Sequence, residues 1–210
     1  MAEDFDQAFW DERYRSHPTL WSGEPNRYLV SEVSELSPGT ALDVGCGEGA
    51  DAVWLAGRSW QVTALDLSAV ALERAAANAA ATGTEIAERI TWRQVDITDW
   101  EPGEDRFDLI TAQYLHLPAG DRQPLWRRLA TAVRPGGSLL IVGHHPSDLQ
   151  TTMRRPRNPE LFFTGADIVA ELEPGRWQVV TDAAPERTAT DPDGQPVTIR
   201  DTVFHARRRD

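Results

Sequence analysis

Three glycines at alternate positions, Gly45, Gly47 and Gly49, stand directly behind a short apolar run, Thr40-Ala41-Leu42-Asp43-Val44. A backbone without Cβ atoms bends sharply and lets a ligand press against the chain itself. The sequence turns helical near Ala50, so the unpaired N–H groups and positive dipole end of that helix aim at whatever the bend holds. Strand, glycine loop and helix N-terminus together make a nucleotide cradle. Two acids strengthen that reading: Asp43, just before the loop, and Asp66, about twenty residues beyond Gly45, where a ribose-binding carboxylate is expected. The spacing is D-x-G-x-G-x-G rather than G-x-G-x-x-G, although Ala50 fills the sixth position in the looser form of the latter.

A second group of residues has types suited to moving protons and holding anions. Gly143-His144-His145-Pro146-Ser147-Asp148 follows an apolar run, and Gln113, Tyr114 and His116 follow another. Histidine exchanges a proton most easily near neutral pH, so His144, His145 and His116 are the candidates to touch a substrate. Neighbouring residues in extended chain point apart and no third clustered ligand is evident, so the histidine pair does not read as a metal site. Arg154, Arg155 and Arg157 form a basic knot just after, either a solvated face or a seat for a carboxylate or other anion. Cys46, the only cysteine, sits inside the glycine loop and reads as packing rather than as a nucleophile.

The elements that must position these residues alternate strand and helix. Strands are expected at 40–44, 61–65, 90–95, 107–112 and 138–142, with helices at 50–57, 69–81 and 121–133. Ser68 caps the second of these helices and Gly83 stops it. Thr164-x-x-Asp167 is a capping box for a helix near 165–172. Residues 177–182 and 197–206 then make two strands joined by a loop around Pro192-Asp193-Gly194. The alternation predicts an α/β fold with right-handed parallel crossovers, and the last pair predicts an antiparallel strand at the edge. Ahead of the sheet, residues 1–36 form a helical arm: a helix over 8–14, a loop over 18–25, and a second helix over 28–36 capped by Asn26. Trp10 and Trp21 make this arm either a lid over cofactor and substrate or a segment anchored to the core. Residues 37–210 form the single main domain.

Five pieces in order carry a family resemblance. They are Leu42-Asp43-Val44-Gly45-Cys46-Gly47-Glu48-Gly49, Val62-Thr63-Ala64-Leu65-Asp66-Leu67-Ser68, Asp96-Ile97, Phe107-Asp108-Leu109-Ile110 and Arg134-Pro135-Gly136-Gly137. Residues 40–143 resemble a class I S-adenosylmethionine-dependent methyltransferase. The resemblance implies a Rossmann-like, seven-stranded, mostly parallel sheet with helices on both faces. It implies S-adenosylmethionine as cofactor, released as S-adenosylhomocysteine, held by Gly45, Gly47 and Gly49 and by Asp66 on the ribose hydroxyls. Asp96 would accept from the adenine amine, Leu67 and Ile97 would flank the ring, and Asp43 would organise the loop near the ammonium group. Gln113 would reach the methionine part, with Trp10 and Trp21 closing from the arm. Ala112-Gln113-Tyr114-Leu115 departs from the N/D-P-P-Y/F motif of enzymes that methylate amide or base nitrogens, which disfavours such substrates. The arm itself resembles the N-terminal segments of thiopurine- and tellurite-resistance-type methyltransferases and points to a small-molecule substrate.

Composition narrows the partners. A net charge of −12 works against sequence-independent binding to phosphate backbones, so no nucleic-acid partner is expected. All 21 basic residues are arginines, which excludes Schiff-base and pyridoxal-phosphate chemistry. No apolar run suits a membrane span and Met1-Ala2-Glu3-Asp4 has no basic leader, so a cytoplasmic location without membrane contact is the expectation. Two competing readings share the glycine loop. A binding module or sensor would hold the cofactor without transferring anything, and a nicotinamide-dependent reductase would lack the antiparallel ending.

Overall fold

The computed structural model describes residues 5–156 and 158–210; Arg157 and residues 1–4, on which parts of the basic-knot and leader readings fall, lie outside them. Strand β1 (Thr40–Val44) is the axis of the sheet. Parallel neighbours flank it on both sides, β2 (Gln61–Asp66) and β4 (Phe107–Gln113). Beyond these lie β3 (Ile90–Gln94), parallel to β2, and β5 (Val133–His144), parallel to β4. The chain therefore winds outward through β2 and β3, then returns past β1 to wind the other way. At such a reversal the loops leaving the carboxyl ends of β1 and β4 diverge and open a crevice.

Side chains alternate across each strand, and helices cover both faces. Leu42 and Val44 join Ile110, Leu139 and Ile141 under Leu125, Trp126 and Leu129 of α6 (Ala119–Ala132). Ala41, Val62, Leu109 and Leu140 pack on the opposite face against Leu29 and Val33 of α2 (Arg27–Val33) and Ala52, Leu55 and Ala56 of α3 (Ala50–Gly57). Helix α1 (Gln7–Arg15) opens the described chain, α4 (Ala69–Thr82) and the short α5 (Thr84–Ala87) lie between β2 and β3, and α7 (Gly165–Val169) follows β5. The expected cap on α4 is present, Ser68 accepting from the Ala71 amide at 3.2 Å. So is the Thr164–Asp167 capping box, although α7 ends at Val169 rather than near 172.

The antiparallel ending is larger than two strands. Strand β8 (Pro196–Arg208) slots between β5 and the edge strand β6 (Trp177–Ala183), antiparallel to both, and its first half pairs with an additional strand, β7 (Glu186–Thr190). The turn around Pro192-Asp193-Gly194 joins β7 to β8, not β6 to β8. Asp191 closes that turn, accepting from the amides of Asp193 and Gln195 at 3.0 and 2.8 Å. The sheet thus has eight strands in the order β3-β2-β1-β4-β5-β8-β6, with β7 on β8. Among the described residues no helix is long and apolar enough to cross a membrane.

Candidate active site

The glycine loop bends where the sequence requires it. Gly45, Gly47 and Gly49 have φ of +72°, +53° and +85°, a region L side chains enter only at a cost. The amides of Gly45 and Cys46 both donate to the Leu65 carbonyl, at 2.8 and 2.9 Å, tying the loop to the end of β2. Asp66 completes the tie. Its Oδ2 accepts from the Gly47 amide at 2.8 Å and its Oδ1 from the Ser68 amide at 2.9 Å. A carboxylate offers about four acceptor sites, so two remain for a ligand. Burial pushes the Asp66 carboxyl up and the backbone donors partly restore it.

Asp43 points into the α2–α3 face by strand alternation and is buried, with Oδ2 lacking a partner. Burial, then the charges of Asp51 and Asp66, hold its carboxyl well above the ordinary range. It does not line the cavity. Burial also lifts Asp51 to about 6 and pushes the Cys46 thiol up.

The arm rests on this loop. Glu48 Oε2 accepts from the amides of Leu20 and Trp21 at 3.1 and 3.2 Å, and its Oε1 meets Arg74 at 2.9 Å. The Asn26 amide donates to Asp51 at 2.6 Å, and Ser68 Oγ donates to the buried Asp11 at 2.5 Å. The Trp21 indole donates to the Tyr14 hydroxyl at 3.0 Å. A Cβ on Gly47 would stand 3.0 Å from that hydroxyl, so Tyr14 and Trp21 overhang the loop. Trp10 bridges outward from this pair: its ring lies 6.3 Å from Tyr14 and 5.8 Å from His116, at the other end of the crevice.

One cavity of about 2450 Å³ runs between these ends. Gly45, Gly47, Gly49, Asp66, Leu67, Asp96, Ile97, Gln113, Trp10, Trp21, His116 and His144 all line it, which brings nearly every expected site residue to one place. Asp96 Oδ1 accepts from the Thr98 amide and hydroxyl at 3.0 and 2.6 Å, holding the carboxylate at the rim. Gln113 Nε2 donates to Thr111 Oγ1, while its buried Oε1 has no partner. His145 is a correction to the expectation: its Nδ1 accepts from the Ser147 amide at 3.2 Å and caps the turn Pro146–Gln150, and the residue is absent from the cavity wall.

His144 and His116 face each other across 5.9 Å between ring centroids. Burial, then the charge of Arg155, depresses His144 to about 3. Burial, then Arg13 and Arg155, depresses His116 to about 4. Both rings are therefore neutral imidazoles at physiological pH. Tyr114 beside them has φ of +52° and donates its amide to the Val142 carbonyl at 2.8 Å. Tyr28, Arg187 and Asp201 complete this end, with Asp201 Oδ2 accepting from Arg187 Nε at 2.6 Å and from the Tyr28 hydroxyl at 3.2 Å.

A methyltransferase-domain family model matches residues 41–137, from β1 to the turn inside β5. A probable thiol methyltransferase 2 of Arabidopsis thaliana is 32 % identical over 139 residues, 63 % of this chain and 60 % of that protein. A ubiquinone biosynthesis O-methyltransferase of Alkalilimnicola ehrlichii is 30 % identical over 178 residues, 81 % of this chain and 66 % of that protein. The chain carries, over residues 41–137, a methyltransferase domain of the class I S-adenosylmethionine-dependent family. It spans less than two thirds of either relative's own length. A structure concerned with the conversion of a disulfide bond into a thioacetal group during echinomycin biosynthesis shares the fold, with a TM-score of 0.72 at 23 % identity over 97 % of this chain and 91 % of that one.

The site fits the methyl donor of this family. The left-handed glycines leave the loop free of side chains so that a nucleoside can approach the backbone, Asp66 has acceptor capacity to spare, and Leu67 and Ile97 supply apolar walls. Five residues that line this cavity or hold its walls escaped sequence reasoning. Tyr14 follows Trp10 by one helical turn, a spacing that places both on one face and was the available signal. Glu48 stood inside the glycine motif. Tyr28, Arg187 and Asp201 carried no signal, because only the β5–β8 pairing and the β7 hairpin bring them together.

Proposed function

We propose that the chain transfers the methyl group of S-adenosylmethionine to a small-molecule nucleophile, with sulfur favoured over oxygen and nitrogen. The observation that carries this is the single cavity joining the glycine loop and Asp66 to a pair of buried neutral imidazoles. When bound, the cofactor supplies a sulfonium-activated methyl group, so the protein's work is alignment and exclusion of water.

Asp66 holds the ribose hydroxyls in this reading, Asp96 accepts from the adenine amine, and Gln113 uses its unpaired Oε1 on the ammonium group. The arm closes as a lid through Tyr14 and Trp21. The neutral imidazoles of His144 and His116 hydrogen-bond the acceptor and orient it. Bases with pKa near 3 and 4 take a proton from an alcohol only at great cost, whereas a thiol ionises several units more readily. The thiol and O-methyltransferase names of the two relatives agree with a sulfur or oxygen acceptor.

The test is S-adenosylhomocysteine release from a panel of thiols, phenols, amines and halide or chalcogen anions. Turnover is expected with thiols first. Cofactor binding by calorimetry with no turnover across the panel would mark a binding module, and binding of neither cofactor form would sink the reading.

A further inference from the structure

Two guanidinium groups from separate parts of the chain line the cavity with His144. Arg187, on β7, is gripped by Asp201 through Nε at 2.6 Å and Nη2 at 3.4 Å. Arg155, in the loop after β5, is gripped by Asp148 Oδ2 through Nε at 3.0 Å and Nη2 at 2.7 Å. Both gripping carboxylates have side chains with 0 % exposure, while both arginines line the cavity. Asp201 pairs with His144 in the β5–β8 register, and the Arg200 amide holds the far oxygen of Asp148 at 2.8 Å. Each arginine has five N–H donors in a fixed fork, and the grip of its carboxylate leaves others over. The positive charges of both act on His144, whose buried Nδ1 has no partner.

Carboxylates buried behind the arginines fix where each fork points, as pre-organised recognition of a planar anion requires. Arg154, from the basic knot, lines the same cavity and is exposed, and Arg13 adds its charge near His116.

We propose that the methyl acceptor bears an oxyanion, a carboxylate in the first instance, which seats at His144 between Arg155 and Arg187. This deepens the methyltransferase reading and rests on it. The seat pins the acceptor at a point other than its nucleophilic atom, so it discriminates among molecules that share that atom.

The test uses the full chain saturated with S-adenosylhomocysteine. Benzoate, phenylacetate and 3-phenylpropionate are titrated calorimetrically beside their neutral amides. At least one carboxylate should bind tenfold or more tightly than its amide and raise the midpoint of thermal unfolding. Arg187→Gln should remove that preference while leaving S-adenosylhomocysteine affinity within about twofold. Since R187Q strands Asp201, the double variant R187Q/D201N is measured alongside and should lose the preference equally. Acids and amides that bind alike, no binding of any acid, or a preference that survives in the folded double variant would overturn the anion seat. Failure of S-adenosylhomocysteine to bind would instead strike at the methyltransferase assignment itself.

Discussion

At the glycine-loop end the cavity wall is main chain and carboxylate: Gly45, Gly47, Asp51 and Asp66, drawn from the loop after β1, the end of β2 and the start of α3. At the histidine end it is imidazole, phenol and guanidinium: His116, His144, Tyr114, Arg155 and Arg187, drawn from the loop after β4, the end of β5, the loop beyond it and the β7–β8 hairpin. The first end presents bare glycine backbone and carboxylates whose positions are fixed once the strand and helix form. The second depends on long side chains, and each arginine needs a buried acid to hold it. A constant ligand is served by the first construction; the second leaves room for variation in what is bound, since a side chain can change without breaking the sheet.

If the division is real, the largest effect comes from the backbone end. A Cβ on Gly49 would stand 2.7 Å from the Trp92 ring and 2.8 Å from Ala75, at φ +85°. Gly49→Val should cost about 2–5 kcal/mol, combining left-handed strain with overpacking, as read by urea denaturation. Gly194→Ala, at φ +79° in the β7–β8 turn with open space around it, should cost only the strain, about 1–2 kcal/mol. Equal losses would break the comparison.

Asp66→Asn should weaken S-adenosylhomocysteine binding by about 1.5–3 kcal/mol, the usual worth of hydrogen bonds to a charged group. Calorimetry should find the carboxylate preference at the histidine end untouched.

The two ends also titrate in opposite senses. Unfolded histidine has a pKa near 6.5 and unfolded aspartate near 3.9. His116 and His144 are depressed to about 4 and about 3, so the unfolded chain takes up their protons first as pH falls. Their contribution to stability is full above about pH 6.5 and drains away as pH drops toward those values. Asp51 is raised to about 6, so the folded chain takes up its proton first, and its contribution drains away as pH rises from about 4 to about 6. Between pH 4 and 6, Asp51→Asn should steepen the rise of stability with pH by about 1 kcal/mol per unit, and His144→Gln should flatten it by as much. Urea midpoints at half-unit intervals measure both.

The smallest effect belongs to the arm. Glu48→Gln keeps an acceptor for Leu20 and Trp21 but loses the charge opposite Arg74, and should cost about 1 kcal/mol or less, because Arg74 is part-exposed. Limited proteolysis between α1 and α2 should quicken, and S-adenosylhomocysteine should slow it again.

How much of each end could be read in the sequence follows from the same contrast. Residues 40–49 and Asp66 spell out the first end almost contiguously, because a strand, a turn and a cap are local events. Tyr28 and Asp201, 173 positions apart and hydrogen-bonded to each other, depend on a strand pairing no local pattern encodes. Strand β7 escaped notice for a related reason. Glu186-Arg187-Thr188-Ala189-Thr190 has no apolar alternation and takes its structure from β8 beside it. The separate fates of His144 and His145 were foreseeable only in part. Alternation sends adjacent residues to opposite sides, but which one meets the cavity is decided by the register of β5 against β8.

The insertion of β8 between β5 and β6 also dictates a sequence of assembly. Strands β1 to β5 each find a neighbour through a nearby crossover, whereas β6 has no rung to join until a segment some twenty residues downstream has docked on β5. Strand β8 needs β5 as its template and β6 needs β8, so this antiparallel addition belongs late on the folding route. The parallel half should therefore acquire hydrogen-exchange protection first, leaving the region that chooses the acceptor as the last to solidify and the first to melt.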